Sequence, residues 1–525
     1  MCGIAGITAL NRDQNVADDL IKMLNAIKHR GPDGSGVFVD GQIVKDSLED
    51  LVAPKGSFGM GHNLLSIVGT DVSQPIKKHG LILVANAEIY NFRELKNCID
   101  DEYKTDSDCE VIISVIKQFY NGSLLEAVKK SLDKLDGDYA FAIYDGKDCI
   151  VVRDPLGIKP VYYGQDNLNN ISAFASERKA LWNIGLKDVQ TLAPDQVLFN
   201  GEPLKVDNRE NIVLKLDKSC SIEEENVLNM RLILLNDLRS NNLEVNNYRN
   251  IKIDKDKKQF KDELTESLID SVEKRLNGLS KVGIIFSGGV DSTIIAKLSD
   301  DLGADTTLYT VGHETSSDLK FAKKTAANMQ LPLKIKTLNI QDVKKYTELV
   351  LNAIEEFNIM KLGVGMPAYI ASEMAGNDGI KVMMSGQGAD EIFAGYHRYI
   401  QYYLDKGEMV QEDLKEDVRN IYHVNLQRDD AVTMANGLEL RVPYLDQGLV
   451  ALALNVPIKY KLDDEDNLRK CILREIAKDI GVPSEIVRRP KKAAQYGSGI
   501  HKILVKKVLR DENYKNKLKA KFKNI

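Results

Sequence analysis

The chain begins Met1-Cys2-Gly3-Ile4-Ala5-Gly6-Ile7, and Cys2 is the first residue whose type and place suggest chemistry. Loss of Met1 would give residue 2 a free α-amine with a reference pKa of roughly 7.7–8. That amine can take the proton of its own thiol, so nucleophile and base share one residue and no histidine is needed. A lone cysteine is more often a small buried hydrophobe, and only the position of this one sets it apart. Gly3 and Gly6 are expected to let the backbone turn tightly against a substrate. A second candidate is Phe286-Ser287-Gly288-Gly289-Val290-Asp291-Ser292. Its glycines can bring backbone N–H groups to an anion, a following helix adds its dipole, and Ser287 and Ser292 add hydroxyls. The spacing is not that of the ordinary triphosphate-hydrolysing loop. Asp291 suits Mg²⁺, which takes one or two carboxylates together with phosphate oxygens. A third glycine-rich stretch, Ser385-Gly386-Gln387-Gly388-Ala389-Asp390, has the same character. The run Arg488-Arg489-Pro490-Lys491-Lys492 is basic, a pattern that usually marks a solvated surface. The seven histidines show no metal-ligand spacing.

These residues need elements to position them. Up to about residue 200, the segments 35–40, 80–90, 139–146 and 149–154 are apolar or β-branched runs bounded by Gly, Asp and Asn, and so read as strands. Residues 109–120 have helical periodicity. Many strands with few helices imply two packed sheets flanked by helices. Residues 201–255 are polar and Asn-rich, and read as a linker or insertion with one helix near 222–240. From 256 onward, strands at 281–286, 306–311 and 379–384 alternate with helices at 292–302 and 318–329. That alternation implies a parallel sheet with ligands at the carboxyl ends of its strands, where both glycine-rich loops fall. Residues 511–525 form a lysine-rich tail after a second domain of 256–510.

Bulk composition narrows the class without naming a chemistry. A length of 525 residues predicts two to four domains. Hydrophobic residues at 43% and charged residues at 28% supply ordinary globular cores. A net charge of −6 gives no reason to expect nucleic acid or an anionic membrane as partner. Six scattered cysteines with no C-x-x-C pair, and no run of ~18 apolar residues, predict a cytoplasmic protein without disulfides.

Taken together, MCGIAGI, HRGPDGSG (29–36), NAEIYNFREL (86–95), SDCEVI (107–112), LDGDYAFAIYD (135–145) and RDPLGIKPVYYG (153–164) resemble the glutaminase domain of class II amidotransferases. The resemblance implies a four-layer α-β-β-α N-terminal-nucleophile fold. It makes Cys2 the nucleophile, and Asn86 with the N–H of Ala87 the oxyanion hole. Glu88 and Asp108 would hold the α-amino group of glutamine, and Arg30 would lie within the site. The second half, through FSGGVDS (286–292), MSGQGADEIFAGYHRY (384–399), RDDAVTMANGLELRVPYLD (428–446) and RRPKKAAQYGSG (488–499), resembles the synthetase domain of glutamine-hydrolysing asparagine synthetases. That implies an α/β ATP-pyrophosphatase domain with ATP as co-substrate and Mg²⁺ on Asp291 and Asp390. Phe286, Ser287, Gly288, Gly289, Asp291, Ser292, Val311, Ser385 and Gly386 would contact the nucleotide, and Lys491 would stabilise charge on the phosphate. The partners implied are glutamine, aspartate and ATP, and a homodimer is left open.

Three positions depart from that family. Ala87 stands where relatives commonly have glycine; alanine keeps the N–H donor and only reduces backbone freedom. Leu64, in HNLLSIV (62–68), stands where relatives often carry the arginine that grips the glutamine carboxylate. A buried carboxylate without a cation is costly, and Asn63 offers hydrogen bonds but no charge. Gln387 stands where relatives often have glutamate; it cannot accept a proton and is read as a positioning residue. The alternatives are an ATP-dependent amidotransferase acting on another carboxylic acid, and a non-catalytic descendant that binds without turning over. The presence of Cys2, Asn86, Asp291, Asp390 and Lys491 together argues against the second.

Overall fold

The computed structural model describes residues 2–11, 13–67, 74–168, 170–206, 256–463, 466–489 and 497–523. Lys491 and the helix expected near 222–240 lie outside the described residues. The first half holds two antiparallel sheets. One has seven strands in the order Val189–Thr191, Tyr162–Asp166, Ile171–Ala175, Gly3–Ala9, Phe58–Leu64, Gly34–Val39, Gln42–Asp46. The other has six: Glu202–Lys205, Gln196–Phe199, Cys149–Arg153, Gly137–Tyr144, Leu81–Ile89, Ile76–Lys78. The edge strand Glu202–Lys205 belongs to this sheet although its residues read as the start of the linker.

Why the layers form is visible in the alternation along single strands. In Leu81–Ile89, Ile82 and Val84 face the other sheet, while Leu81, Leu83 and Ala85 face the helices Glu110–Phe119 and Leu124–Ser131. Ala140 and Ala142 likewise face inward, and Tyr139, Phe141 and Ile143 outward. Period-2 placement with both sets buried is what a sheet covered on both faces requires. The helices Ala17–Ala26 and Arg178–Trp182 cover the outer face of the seven-stranded sheet through Leu20, Met23, Leu24 and Leu181. The result is the four-layer α-β-β-α arrangement.

The first strand corrects one expectation. Gly3 and Gly6 do not form a turn; both lie in the extended strand Gly3–Ala9 at the centre of its sheet. Packing explains them. A Cβ on Gly3 would press Ile27 Cδ1 at 3.0 Å, and one on Gly6 would overlap the ring of Phe174.

The second half is built on a five-stranded, all-parallel sheet ordered Leu333–Thr337, Asp305–Gly312, Lys281–Ile285, Val382–Met384, Glu439–Arg441. Helices Val290–Asp301, Ser317–Met329 and Ile359–Asn377 connect or cover these strands, as parallel pairing demands. A single large apolar core takes in the sheet and its helices. It reaches Leu518 and Phe522 of the lysine-rich C-terminal helix, which therefore docks by its apolar stripe. Among the described residues no helix is long and apolar enough to cross a membrane.

Candidate active site

Two separate constellations emerge, one per half. In the first, Cys2 precedes the central strand of one sheet and Asn86 lies on the strand Leu81–Ile89 of the other, so the space between the sheets brings them together. The backbone N–H of Cys2 donates to Asn86 Oδ1 at 2.9 Å. That bond turns the Asn86 carboxamide so that Nδ2 is fully buried and has no acceptor among the described residues. A buried amide N–H without a partner costs about 1–3 kcal/mol, and such a cost at this spot suits a donor reserved for a developing oxyanion. Burial pushes the Cys2 thiol above its ordinary range, so the sulfur needs a base beside it to ionise.

The carboxylates come from Glu88, two residues further along the same strand, and from Asp108, just before the helix Glu110–Phe119. Glu88 is pushed up to about 7, chiefly by burial, with the Arg441 guanidinium pulling the other way. Asp108 is likewise raised by burial, against the Ile89 N–H that donates to its Oδ2 at 2.7 Å. Arg30 is in the site, but its charge is spent elsewhere. Its Nε donates to the Cys2 carbonyl at 3.3 Å, while Nη1 and Nη2 hold Asp430 at 2.8 and 3.1 Å and Nη1 also holds Glu177 at 2.9 Å. Asp430 belongs to the second half, so this fully buried cluster ties the two domains together. Breaking one such buried pair leaves the other charge stranded and typically costs 3–5 kcal/mol. The sequence does not foretell a second interdomain contact, Arg441 Nη2 at 2.9 Å from Glu88 Oε1. Glu439, fully buried two residues earlier, accepts from Arg441 Nε at 2.6 Å. Although burial alone would raise its pKa, the Lys159 and Arg441 cations hold Glu439 well below the usual carboxylate range.

In the second constellation, the two glycine-rich loops end adjacent parallel strands and touch. Gly288 has φ +64°, and a Cβ there would meet Ala322 N at 2.7 Å, so both conformation and space call for glycine. A Cβ on Gly386 would meet Asp291 Cβ at 2.7 Å, which shows how closely the loops pack. Val290–Asp301 starts directly after Gly289, so its N-terminal dipole faces the cradle, and Phe286 and Val311 flank it at the ends of neighbouring strands. Asp291 and Asp390 converge on one ammonium: Lys470 Nζ lies 2.7 Å from Asp291 Oδ1 and 2.6 Å from Asp390 Oδ1. Lys470 is buried and sits at φ +60°. Two carboxylates that can share one small cation are a fitting protein contribution to a Mg²⁺ site, because the remaining ligands are phosphate oxygens and water. Among the described residues there is no cluster of three or more His, Cys, Asp or Glu that could hold a metal without them.

Lys470 and Arg489 are the residues the motifs did not reveal. Arg489 Nη1 donates to the Ser287 carbonyl at 3.0 Å and Nη2 to Asp318 Oδ1 at 2.6 Å, which brings a cation to the first glycine-rich loop from 202 positions away. The basic run at 488–492 was the available signal for Arg489. Lys470 has no comparable signal beyond the pair Arg469-Lys470.

Comparison with known proteins agrees with this division. Residues 1–203 match the family model of the glutamine amidotransferase domain, and residues 263–411 and 402–520 match that of asparagine synthase. The chain is 38% identical over 548 residues to the putative asparagine synthetase [glutamine-hydrolyzing] 1 of Methanocaldococcus jannaschii, covering 96% of this chain and 95% of that one. It is 27% identical to the probable asparagine synthetase [glutamine-hydrolyzing] of Acanthamoeba polyphaga mimivirus, over 94% of this chain and 84% of that one. It is 26% identical to asparagine synthetase B [glutamine-hydrolyzing] of Escherichia coli, over 95% of this chain and 82% of that one.

Proposed function

Because the chain belongs to the family of glutamine-hydrolysing asparagine synthetases, we propose that it converts aspartate, ATP and glutamine into asparagine, AMP, pyrophosphate and glutamate. The observation that carries the first half is the buried, unpaired Asn86 Nδ2 beside Cys2. The terminal amine of Cys2 takes the thiol proton, and the sulfur attacks the side-chain amide carbon of glutamine. Negative charge then grows on the amide oxygen, where Asn86 Nδ2 and the Ala87 N–H donate. Losing one such donor typically costs ~10²–10³ in rate. Ammonia leaves with the proton, and water releases glutamate from the thioester. Glu88 and Asp108 hold the substrate ammonium.

In the second half, the β-carboxylate of aspartate attacks the α-phosphorus of ATP and pyrophosphate leaves into the cradle of Ser287, Gly288, Gly289 and Ser292. Phe286, Val311, Ser385 and Gly386 line the nucleotide, and Lys491 stabilises its phosphate charge. Asp291 and Asp390 would hold Mg²⁺, which supplies charge neutralisation on the phosphates. Ammonia then attacks the acyl carbon of the mixed anhydride, forming the carbon–nitrogen bond as AMP departs. Gln387 positions this step without accepting a proton. Passage between the sites keeps ammonia away from water and from protonation. Unpaired thiols among the described cysteines suit a cytoplasmic enzyme.

Incubation with aspartate, ATP, Mg²⁺ and glutamine, with products identified by mass, tests the whole scheme. Asparagine, AMP, pyrophosphate and glutamate in equal amounts are expected; ADP in place of AMP would reject the adenylation step.

Glu88 adds a pH signature. Its folded pKa of about 7 stands above the ordinary 4.5, so the folded protein holds a proton there that the unfolded chain has released. Between those values the stability due to Glu88 falls as pH rises. Ligand binding runs the other way, because a substrate ammonium needs the ionised carboxylate. Calorimetric binding of glutamine to a Cys2→Ala protein should tighten by about fivefold from pH 6 to 7, reach about tenfold by pH 8 and level off above it. A flat profile would contradict the assignment of Glu88.

A further inference from the structure

Leu64 leaves an open question at the glutamine pocket, since a substrate carboxylate buried there needs a positive charge. Three nearby candidates can be checked against the geometry. Asn63 is spent: its Nδ2 donates to the Leu24 carbonyl at 2.9 Å and its Oδ1 accepts from the Ser35 hydroxyl at 2.8 Å. Arg30 is spent on Cys2, Glu177 and Asp430. Arg441 is not. Its Nε serves Glu439 and its Nη1 donates to the Arg275 carbonyl at 2.7 Å. Its Nη2, although buried, has no aligned hydrogen-bond acceptor among the described residues. That nitrogen lies 2.9 Å from Glu88 Oε1, the carboxylate read here as the holder of the substrate ammonium.

We propose that Arg441, carried by the synthetase half, holds the α-carboxylate of glutamine in place of the cation that Leu64 does not supply. The glutamine pocket is then completed by both domains. The proposal rests on the assignment of Cys2 as a glutaminase nucleophile.

The distances support it. In an α-amino acid the ammonium nitrogen and a carboxylate oxygen are held about 3 Å apart by the three bonds N–Cα, Cα–C and C–O. Glu88 Oε1 and Arg441 Nη2 present an anion and a cation at 2.9 Å. Glutamine can therefore lay its ammonium on Glu88 and its carboxylate on Arg441, closing a four-point ring of alternating charge at ordinary hydrogen-bond lengths. A guanidinium anchored through Nε and Nη1 is also already oriented, so little rotamer freedom remains to be lost on binding. The backbone of the same residue reaches the other site. The Arg441 carbonyl accepts from the N–H of Ser385, in the nucleotide loop, at 3.3 Å.

The test compares hydrolysis of glutamine with that of its α-methyl ester, which keeps the ammonium and the amide but has no carboxylate. The unaltered enzyme should favour glutamine in kcat/KM by about 100-fold, the usual scale for a buried charge pair. Arg441→Met should bring the two substrates within about threefold of each other, and Arg441→Lys should keep an intermediate preference. Lys159→Met, which removes the other buried cation near Glu439, should leave the preference intact. A merely structural loss would slow both amides alike and leave the ratio standing, which would overturn the proposal; so would a ratio that collapses only in Lys159→Met. If Arg441→Met does not fold, Leu64→Arg in the otherwise unaltered protein decides. The proposal expects its KM for glutamine to stay within about threefold, and a fall of tenfold or more would show that no cation had been serving the carboxylate. If the unaltered enzyme hydrolyses neither amide, the glutaminase assignment and this proposal fall together; hydrolysis of both with an unmoved ratio sinks this proposal alone.

Discussion

Replacing Cys2 by alanine should lower glutamine hydrolysis by roughly 10⁴-fold or more, while free ammonia still supports asparagine formation. The size follows from what is lost. Alanine keeps the N–H that holds Asn86 Oδ1, so the oxyanion donors stay aimed, but no atom remains to form the thioester. Residual catalysis would come only from binding and from the donors. The selectivity follows from the architecture. Cys2 is packed between the sheets of the first half, whereas the glycine-rich loops are built on the parallel sheet of the second, around a different apolar core. A side chain trimmed at the start of one strand leaves that second core untouched. Parallel assays with glutamine and with ammonium chloride, each followed by asparagine yield, check both halves at once. Loss of both activities in a folded protein would contradict two separate reaction sites.

Most of the layer architecture was legible because it repeats locally. The alternation of Ile82 and Val84 with Leu83 and Ala85 marks a strand buried on both faces, and the glycine-rich loops mark strand ends from spacing alone. The motif residues of each half also come together: Asn86 beside Cys2, and Gly386 of one loop against Asp291 and Ser292 of the other. What could not be read were the relations made by docking. The Arg30–Asp430 pair joins residues 400 positions apart, and Arg441 meets Glu88 only because the edge of one sheet packs against the mouth of the other. No periodicity encodes such pairs. Gly3 and Gly6 show a subtler limit. Glycine signals that a side chain is not tolerated, but not whether conformation or crowding is the reason; here it is crowding by Ile27 and Phe174. Lys470 was missed for a related cause, since a lysine at positive φ leaves no mark in the sequence and its role appears only when two distant aspartates close on it.

Asp291→Ala should reduce pyrophosphate release from ATP by about 10³-fold or more with either nitrogen source, while glutamine hydrolysis at Cys2 continues. Asp291 lies in the first turn of the helix Val290–Asp301 directly after the glycine-rich loop, so its carboxylate is fixed where it would help hold Mg²⁺, which would supply charge neutralisation on the phosphates. Removing it takes away one of two protein carboxylates in a step where charge on the phosphates is the main barrier. Stability should suffer less than activity. Lys470 is shared, so without Asp291 its buried ammonium keeps Asp390 at 2.6 Å rather than being stranded. That spares much of the 3–5 kcal/mol that orphaning a buried charge usually costs. Asp291→Asn separates the two effects, since it preserves volume and packing against Gly386 while discarding the charge. Pyrophosphate release should then be nearly as low as in the alanine variant, with the thermal midpoint closer to that of the unaltered protein. An asparagine variant that released pyrophosphate at an undiminished rate would show that Asp291 only fills space, and the metal would have to be held elsewhere.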